Sequence, residues 1–150
     1  MKAMISLILF VIPFAACKKD HVGNTFPQGN KITGKWNITS VTVIPHDSTG
    51  ATMNSGTVYT EPTYYYFQFN TDMTWLENLT TDVSPAGESG NYLMHADTGF
   101  TLINKNVPST PEECKIVSIT NSSFVFTHTE PTLFNGVTPG FLEYVFRMTR

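Results

Sequence analysis

The sequence predicts an all-β fold, an eight-stranded antiparallel up-and-down barrel, on three observations. Charged residues make up only 14% of the 150, while hydrophobic ones reach 41% and aromatics 13%; an ordinary globular chain carries about 25% charge. Thr, Ser and Asn stand in place of the missing charge, as on sheet surfaces and in turns. Past the first twenty residues no Ala/Glu/Lys/Leu/Arg-rich stretch offers a helix. Apolar and β-branched runs instead alternate with short turn-forming clusters.

The domain opens at Gly34-Lys35-Trp36, and its first strand is expected over 36–44, ended by Pro45. Residues 46–62 are rich in Gly, Ser and Thr and read as a long loop, with a short strand at Thr57-Val58-Tyr59. A second strand over 64–70 turns at Thr71-Asp72 into a third over 74–80. Ser84-Pro85-Ala86-Gly87 breaks the chain before a fourth strand over 90–95, and Asp97-Thr98-Gly99 turns into a fifth over 100–104. After a loop holding Pro108 and Pro111, a sixth strand covers 114–120. Asn121-Ser122 turns into the seventh over 124–129, and a loop over 130–140 leads to the last, over 141–149.

Links of two or three residues cannot make parallel crossovers, so sequential strands must pair antiparallel. Eight strands joined this way close into a barrel whose interior holds side chains or one small ligand; a sandwich would need more long crossing connections. Alternation picks the inward faces: Tyr65, Phe67 and Phe69; Phe124 and Phe126; Leu142, Tyr144, Phe146 and Met148. In the first strand Trp36 and Ile38 share one parity and Val41 and Val43 the other, which calls for a bulge or twist between them.

The N-terminus has a different character. Lys2, an apolar run from Ala3 to Phe14 and the small Ala15-Ala16 have the layout of a secretory signal peptide, expected to end at residue 16. The run falls short of the roughly 20 residues a membrane-spanning helix needs. Phe14-Ala15-Ala16-Cys17 resembles the lipobox of bacterial lipoproteins, with Phe14 where that family more often has leucine. The resemblance implies that Cys17 is the lipidated first residue of the mature chain. Lys18 after it resembles lipoproteins sent onward to the outer membrane, so the expected place is the cell envelope, attached to the membrane through the lipid. Residues 17–33, polar with Gly and Pro, read as the lipidated end and its tether to a single domain over 34–150.

Several pieces of that domain are together similar to the lipocalin-like lipoproteins of Gram-negative gut bacteria. Gly34-Lys35-Trp36 resembles the G-x-W of lipocalin-type barrels. Phe67-Gln68-Phe69-Asn70-Thr71-Asp72-Met73-Thr74-Trp75 resembles their F-x-F-N-x-D-G-T-aromatic hairpin, with Met73 in place of the turn glycine. Ile116 to Phe126 and Tyr144-Val145-Phe146-Arg147 resemble their last two hairpin segments. The resemblance implies a small apolar ligand, and a Trp36 packed against an arginine of the last strand, for which Arg147 is the expected partner. The alternative is a Trp in an ordinary core with Arg147 facing solvent.

Chemistry-bearing patterns are sparse. His21, His46, His95 and His128 show no spacing that converges imidazoles on one ion; His95 with Asp97 comes nearest. Gly87-Glu88-Ser89-Gly90 lacks the spacing and the following helix of a nucleophile elbow. Glu77, Glu88, Asp97 and Glu143 lie on different strands or turns, though two carboxylates could face each other inside a barrel. No phosphate loop, cofactor motif or metal set is found, and the expectation is a non-enzyme with no cofactor. Formal charge is −3, becoming −4 once Lys2 is removed (8 basic residues against 12 acidic), with no basic cluster beyond Lys18-Lys19; nucleic acid is not an expected partner. Cys114, the second of two cysteines, is read as a small buried hydrophobe in a strand or a free thiol.

Two functions follow. One is a ligand-binding barrel whose cup is lined by Phe67, Phe69, Leu102, Phe126, Tyr144 and Phe146, unless these rings simply fill it. The other is an accessory module that meets a protein or glycan through its long loops, with Tyr59, Tyr64 and Phe134 as contacts.

Overall fold

Strand formation follows the alternation of the sequence, and the ends of the strands are where the reading and the structure part. A computed structural model describes residues 31–60, 65–78, 87–96 and 98–150. In it the strands are β1 (Gly34–Asp47), β2 (Thr57–Thr60), β3 (Tyr66–Phe69), β4 (Thr74–Asn78), β5 (Ser89–His95), β6 (Gly99–Asn104), β7 (Glu112–Ile119), β8 (Ser123–Phe134) and β9 (Thr138–Thr149). Each pairs antiparallel with its neighbour in the order β1-β3-β4-β5-β6-β7-β8-β9, and β9 returns to pair with β1. These eight close the barrel. The remaining strand, β2, lies beyond the end of β3 on the same edge of β1, with Val41 opposite Tyr59.

The change of parity in β1 is a bulge: Ile38 faces Met148 but Ser40 faces Arg147, so Thr39 is the extra residue. Trp36 and Ile38 before it and Val41 and Val43 after it all reach the inward face. β1 does not stop at Pro45, which pairs with Leu142. A proline is tolerated there because only its amide is missing; its carbonyl accepts from the Met53 amide at 2.9 Å.

The expected loop over 130–140 is instead a hairpin arm in which Phe134 pairs with Thr138. Asn135 (φ 52) and Gly136 (φ 73) turn it, and the Val137 amide donates to the Phe134 carbonyl at 3.2 Å. Two left-handed residues of type Asn-Gly are the strongest short hairpin signal, and here they give a type I′ turn. The Met73 turn also holds a left-handed residue (φ 65) without a glycine. The Asp72 carboxylate accepts from the Thr74 amide and hydroxyl, at 3.1 and 2.6 Å, which fixes the loop around it. In the Gly-Glu-Ser-Gly run Gly90 serves backbone approach: a Cβ there would sit 1.8 Å from the Ile103 carbonyl oxygen.

Inside, the barrel is layered. At the base, the end where β1 starts, Trp36, Phe69, Tyr92, Phe100, Phe124 and Met148 are all buried. Their rings pack edge-on or tilted, with Phe69 at 5.4 Å from Tyr92 and 5.5 Å from Phe100. Ile32, within the expected tether, is 0% exposed and belongs to this core; its carbonyl accepts the Trp36 indole N–H at 2.7 Å.

The expected arginine over Trp36 is present, but it is Arg150. Its guanidinium lies 4.0 Å from the Trp36 ring. It also donates to the carbonyls of Asn121 (2.6 Å), Thr33 (2.9 Å) and Lys31 (3.4 Å), sealing the base. The expected Trp36–Arg147 contact is not made, for a reason of parity. Arg147 stands between the inward Phe146 and Met148, so it points out and donates to Thr42 Oγ1 at 2.9 Å.

Candidate functional site

Above the base the inward positions continue in the same parity, but their chemistry changes. On β3 and β4 the sequence goes from Phe69 and Trp75 to Phe67 and Glu77; on β7 it goes from Cys114 to Glu112, and on β8 from Phe126 to His128 and Glu130. The result is a cup at the barrel mouth with an aromatic floor. Phe126 and Phe146 stack at 4.7 Å, and Phe67 meets them edge-on at 5.5 and 5.6 Å.

Two lobes open above this floor and share Tyr144 and Phe146. One, of about 590 Å³, is walled by Val41, Val43, Tyr59, Tyr65 and Leu142 and is mainly apolar. The bulge at Thr39 turns Val41 and Val43 into it, and β2 brings Tyr59. The other, of about 290 Å³, has Phe67, Leu102, Cys114 and Phe126 below and Glu77, Glu88, Glu112, Glu130 and His128 around it. Small-molecule sites commonly fall between roughly 300 and 1,000 Å³.

Of the six residues expected to line a ligand cup, Phe67, Leu102, Phe126, Tyr144 and Phe146 border the smaller lobe. Phe69 lies one layer deeper, 1% exposed within the packed base, and borders neither lobe. The base is filled by side chains and the mouth is open. Cys17, the expected lipidation site, lies outside the described residues, as do His21, Tyr64 and Asp97. Of the carboxylates considered in the sequence, Glu77 and Glu88 meet in the cup while Glu143 goes elsewhere, to His46 at 3.0 Å.

Sequence reasoning missed Glu112 and Glu130, and weighed His128 only as a metal candidate without placing it in the cup. The usable signal was parity: each stands an even number of residues from an inward Cys114 or Phe126, so a barrel must turn it inward.

The electrostatics of the smaller lobe follow from burial. Among the described residues no hydrogen bond or ion pair reaches the Glu77 carboxyl. Burial, then repulsion from Glu88 and Glu112, pushes it up to about 8. Glu112 is also raised, by burial first; His128 opposes the rise while Glu88 and Glu130 add to it. Glu88 accepts from Asn104 Nδ2 at 2.7 Å, and His128 Nε2 lies 3.4 Å from Glu130. The His128 Nδ1 atom is buried without a hydrogen-bond partner among the described residues. Tyr144 is raised by burial and then by the Glu130 charge.

Cys114 is a buried free thiol at the cup floor, and burial pushes its pKa far up. It stays protonated and acts there as a small apolar residue. The other histidines among the described residues stand apart from the cup: His46 stacks on Phe141 at 4.7 Å, and His95 bonds the Thr101 hydroxyl, with Glu113 at 3.5 Å. Among the described residues no three His, Cys, Asp or Glu side chains converge where they could hold a metal ion. The arrangement can enclose an apolar body, accept hydrogen bonds at its rim and exchange protons with a solute. No protein-family model matches the chain, and no curated protein matches it either.

Proposed function

We propose that this chain is a lipid-anchored envelope protein whose barrel binds a small, mainly apolar molecule without transforming it. The observation that carries this is the two-lobed cup: a closed barrel packed solid at one end and open at the other, with an aromatic floor where the lobes meet. A barrel serving only as a rigid body has no need of an unfilled mouth, since an interior of eight strands can be filled by side chains. The anchor rests on the sequence alone, on the signal-like start and Cys17. Acylation there would tether the barrel to the membrane, with about 0.8 kcal/mol for each buried methylene. The resemblance to lipocalin-like lipoproteins gains support from the arginine capping Trp36, although Arg150 supplies it. The outer membrane is the compartment we assign.

Extraction of the protein from its native membrane, followed by mass spectrometry of small molecules released on denaturation, tests the binding role. A reproducible apolar species is the expected result, and a barrel recovered empty from every preparation would overturn it. Fractionation tests the anchor: Cys17→Ser should be released or remain unprocessed, and unchanged membrane attachment would contradict it.

A second reading, an accessory module for a protein or glycan, is favoured by apolar side chains left in solvent on the mouth-side arms. Val58 and Tyr59 on β2 are 63% and 52% exposed, and Leu133 and Val137 on the β8–β9 hairpin 60% and 77%. Crosslinking in cells from positions 58 and 137 should then capture one recurrent partner, and failure to recover any would remove this reading.

A further inference from the structure

The two lobes differ in charge as well as in shape, and this difference narrows the ligand class. The larger lobe presents Val41, Val43, Leu142 and tyrosine rings. The smaller one gathers Glu77, Glu88, Glu112 and Glu130 around an aromatic floor, with His128 as its one basic side chain among the described residues. Such a rim rejects a fatty acid, whose carboxylate would be desolvated among acidic side chains with no cationic group but His128 to meet it among the described residues. A neutral apolar molecule would cover the half-buried Glu77 carboxyl without giving it a partner among the described residues. Metal ions suit the site less well than an organic cation. The acids ring a space with an aromatic floor instead of converging on a point, and no set of three metal-ligating groups forms among the described residues. An ammonium group fits both features of the lobe: carboxylates accept its hydrogen bonds, and the half-buried rings of Phe146 and Tyr144 attract its charge.

We infer that the cup is specific for an organic amine, its protonated nitrogen held in the acidic lobe near Glu77 and its apolar body lying across Tyr144 and Phe146 into the larger lobe. The inference rests on the binding role proposed above and names the ligand class for that same cup. The apolar lobe alone would accept many hydrophobic bodies, so the acidic lobe sets the selectivity.

The test uses the full chain in zwitterionic lipid nanodiscs, titrated calorimetrically with empty discs subtracted at pH 9, above the Glu77 value of about 8 and below that of an alkylammonium. Four probes are compared: 4-phenylbutylamine, 4-phenylbutanol, 4-phenylbutyrate and calcium chloride. The amine should bind at least tenfold tighter than the alcohol, with the butyrate weakest. In Glu77→Gln that preference should shrink to within about threefold, and Glu112→Gln should reduce it by a smaller factor. The ratio of amine to alcohol is read within each variant, so a fold-level loss affects both probes alike. Equal binding of alcohol and amine, or preference for the butyrate, would overturn the inference while leaving the binding role intact. An amine preference unchanged in both variants would overturn the assignment to the acidic lobe, and calcium displacing the amine would overturn it in favour of a metal site. If no organic probe binds, the binding role itself falls, and the inference with it.

Discussion

The two ends of this barrel obey the same alternation and have opposite consequences. At the base, inward positions carry Trp36, Phe69, Phe100 and Phe124, each 0 or 1% exposed, and Arg150 closes the opening below them. At the mouth, the same parity delivers Glu77, Glu112, His128 and Glu130 to an unfilled cup. β8 and β9 run through both halves without a shift, from Ser123–Thr149 to Phe134–Thr138, while the bulge at Thr39 in β1 and a register shift between Ile116 and Ser118 in β7 re-aim side chains between them. A packed base and an open mouth are therefore divided along the strand axis mainly by residue choice. Aromatic rings at the base supply the burial that offsets chain entropy. The mouth carries the half-buried Glu77 and Glu112, whose partial desolvation works against folding.

The largest expected effect tests whether the base holds the fold. Phe124 packs against Trp36 at 5.4 Å and Phe126 at 5.5 Å and is fully buried. Phe124→Ala should cost about 4 kcal/mol in urea unfolding, in the range for a buried ring truncated to Ala. Phe146 is half-buried and borders open space in both lobes, so Phe146→Ala should cost about 2 kcal/mol. Equal losses would abolish the division between a structural base and a functional mouth.

The cost of the mouth is measurable through pH. The folded Glu77 carboxyl titrates near 8 against an ordinary value of 4.5. A carboxyl raised by folding binds its proton more tightly in the native state. Its contribution is therefore fully favourable below about 4.5 and is lost as pH rises through about 8. Glu88, Glu112, Glu130 and His128 face the same space, so the difference between two proteins is the informative quantity. Glu77→Gln should be more stable than the parent at pH 8 by a few kcal/mol, with the gap closing toward pH 5. A constant gap across that window would mean that Glu77 is not the group that burial strains.

Arg150 and Arg147 provide a smaller contrast. Arg150 donates to three carbonyls and caps Trp36, whereas Arg147 makes one outward bond to Thr42. Arg150→Ala should lower stability by about 1–2 kcal/mol; Arg147→Ala should change it by under about 0.5 kcal/mol. Thermal unfolding of the two variants ranks them, and the reverse order would return the cap to Arg147.

Most of the base was legible in the sequence because rings at spacing two announce an inward face, as in Phe67 and Phe69 or Phe124 and Phe126. Even the bulge in β1 showed as a break in that spacing between Ile38 and Val41. The mouth was less legible. Glu112 and Glu130 lie two residues from Cys114 and His128, and charged side chains at strand ends ordinarily face water, so their parity carried no apparent meaning. Only closure of β9 onto β1 brings residues so distant in the chain around one space. Arg150 was missed for a related reason: the last strand was read to 149, one residue short of the inward position that reaches Trp36.

The smallest effect concerns how much strain the base tolerates. Met73 sits in the β3–β4 turn at φ 65, a conformation in which a non-glycine side chain crowds its own backbone. The turn is nonetheless held from several sides. Asn70 donates its amide to the Thr74 carbonyl at 2.8 Å, the Tyr92 hydroxyl donates to the Asn70 carbonyl at 2.8 Å, and the Tyr92 amide donates to the Met73 carbonyl at 2.8 Å. Because Tyr92 is itself buried in the base, packing there imposes the left-handed residue on the turn. Met73→Gly removes the Cβ strain but enlarges the freedom of the unfolded chain, and the two effects oppose each other. Strain of about 1–2 kcal/mol at a left-handed residue exceeds the entropic loss of about 0.5–1 kcal/mol, so the variant should be more stable by about 0.5–1 kcal/mol in urea. A loss of stability would show that the exposed Met73 side chain contributes to holding the base.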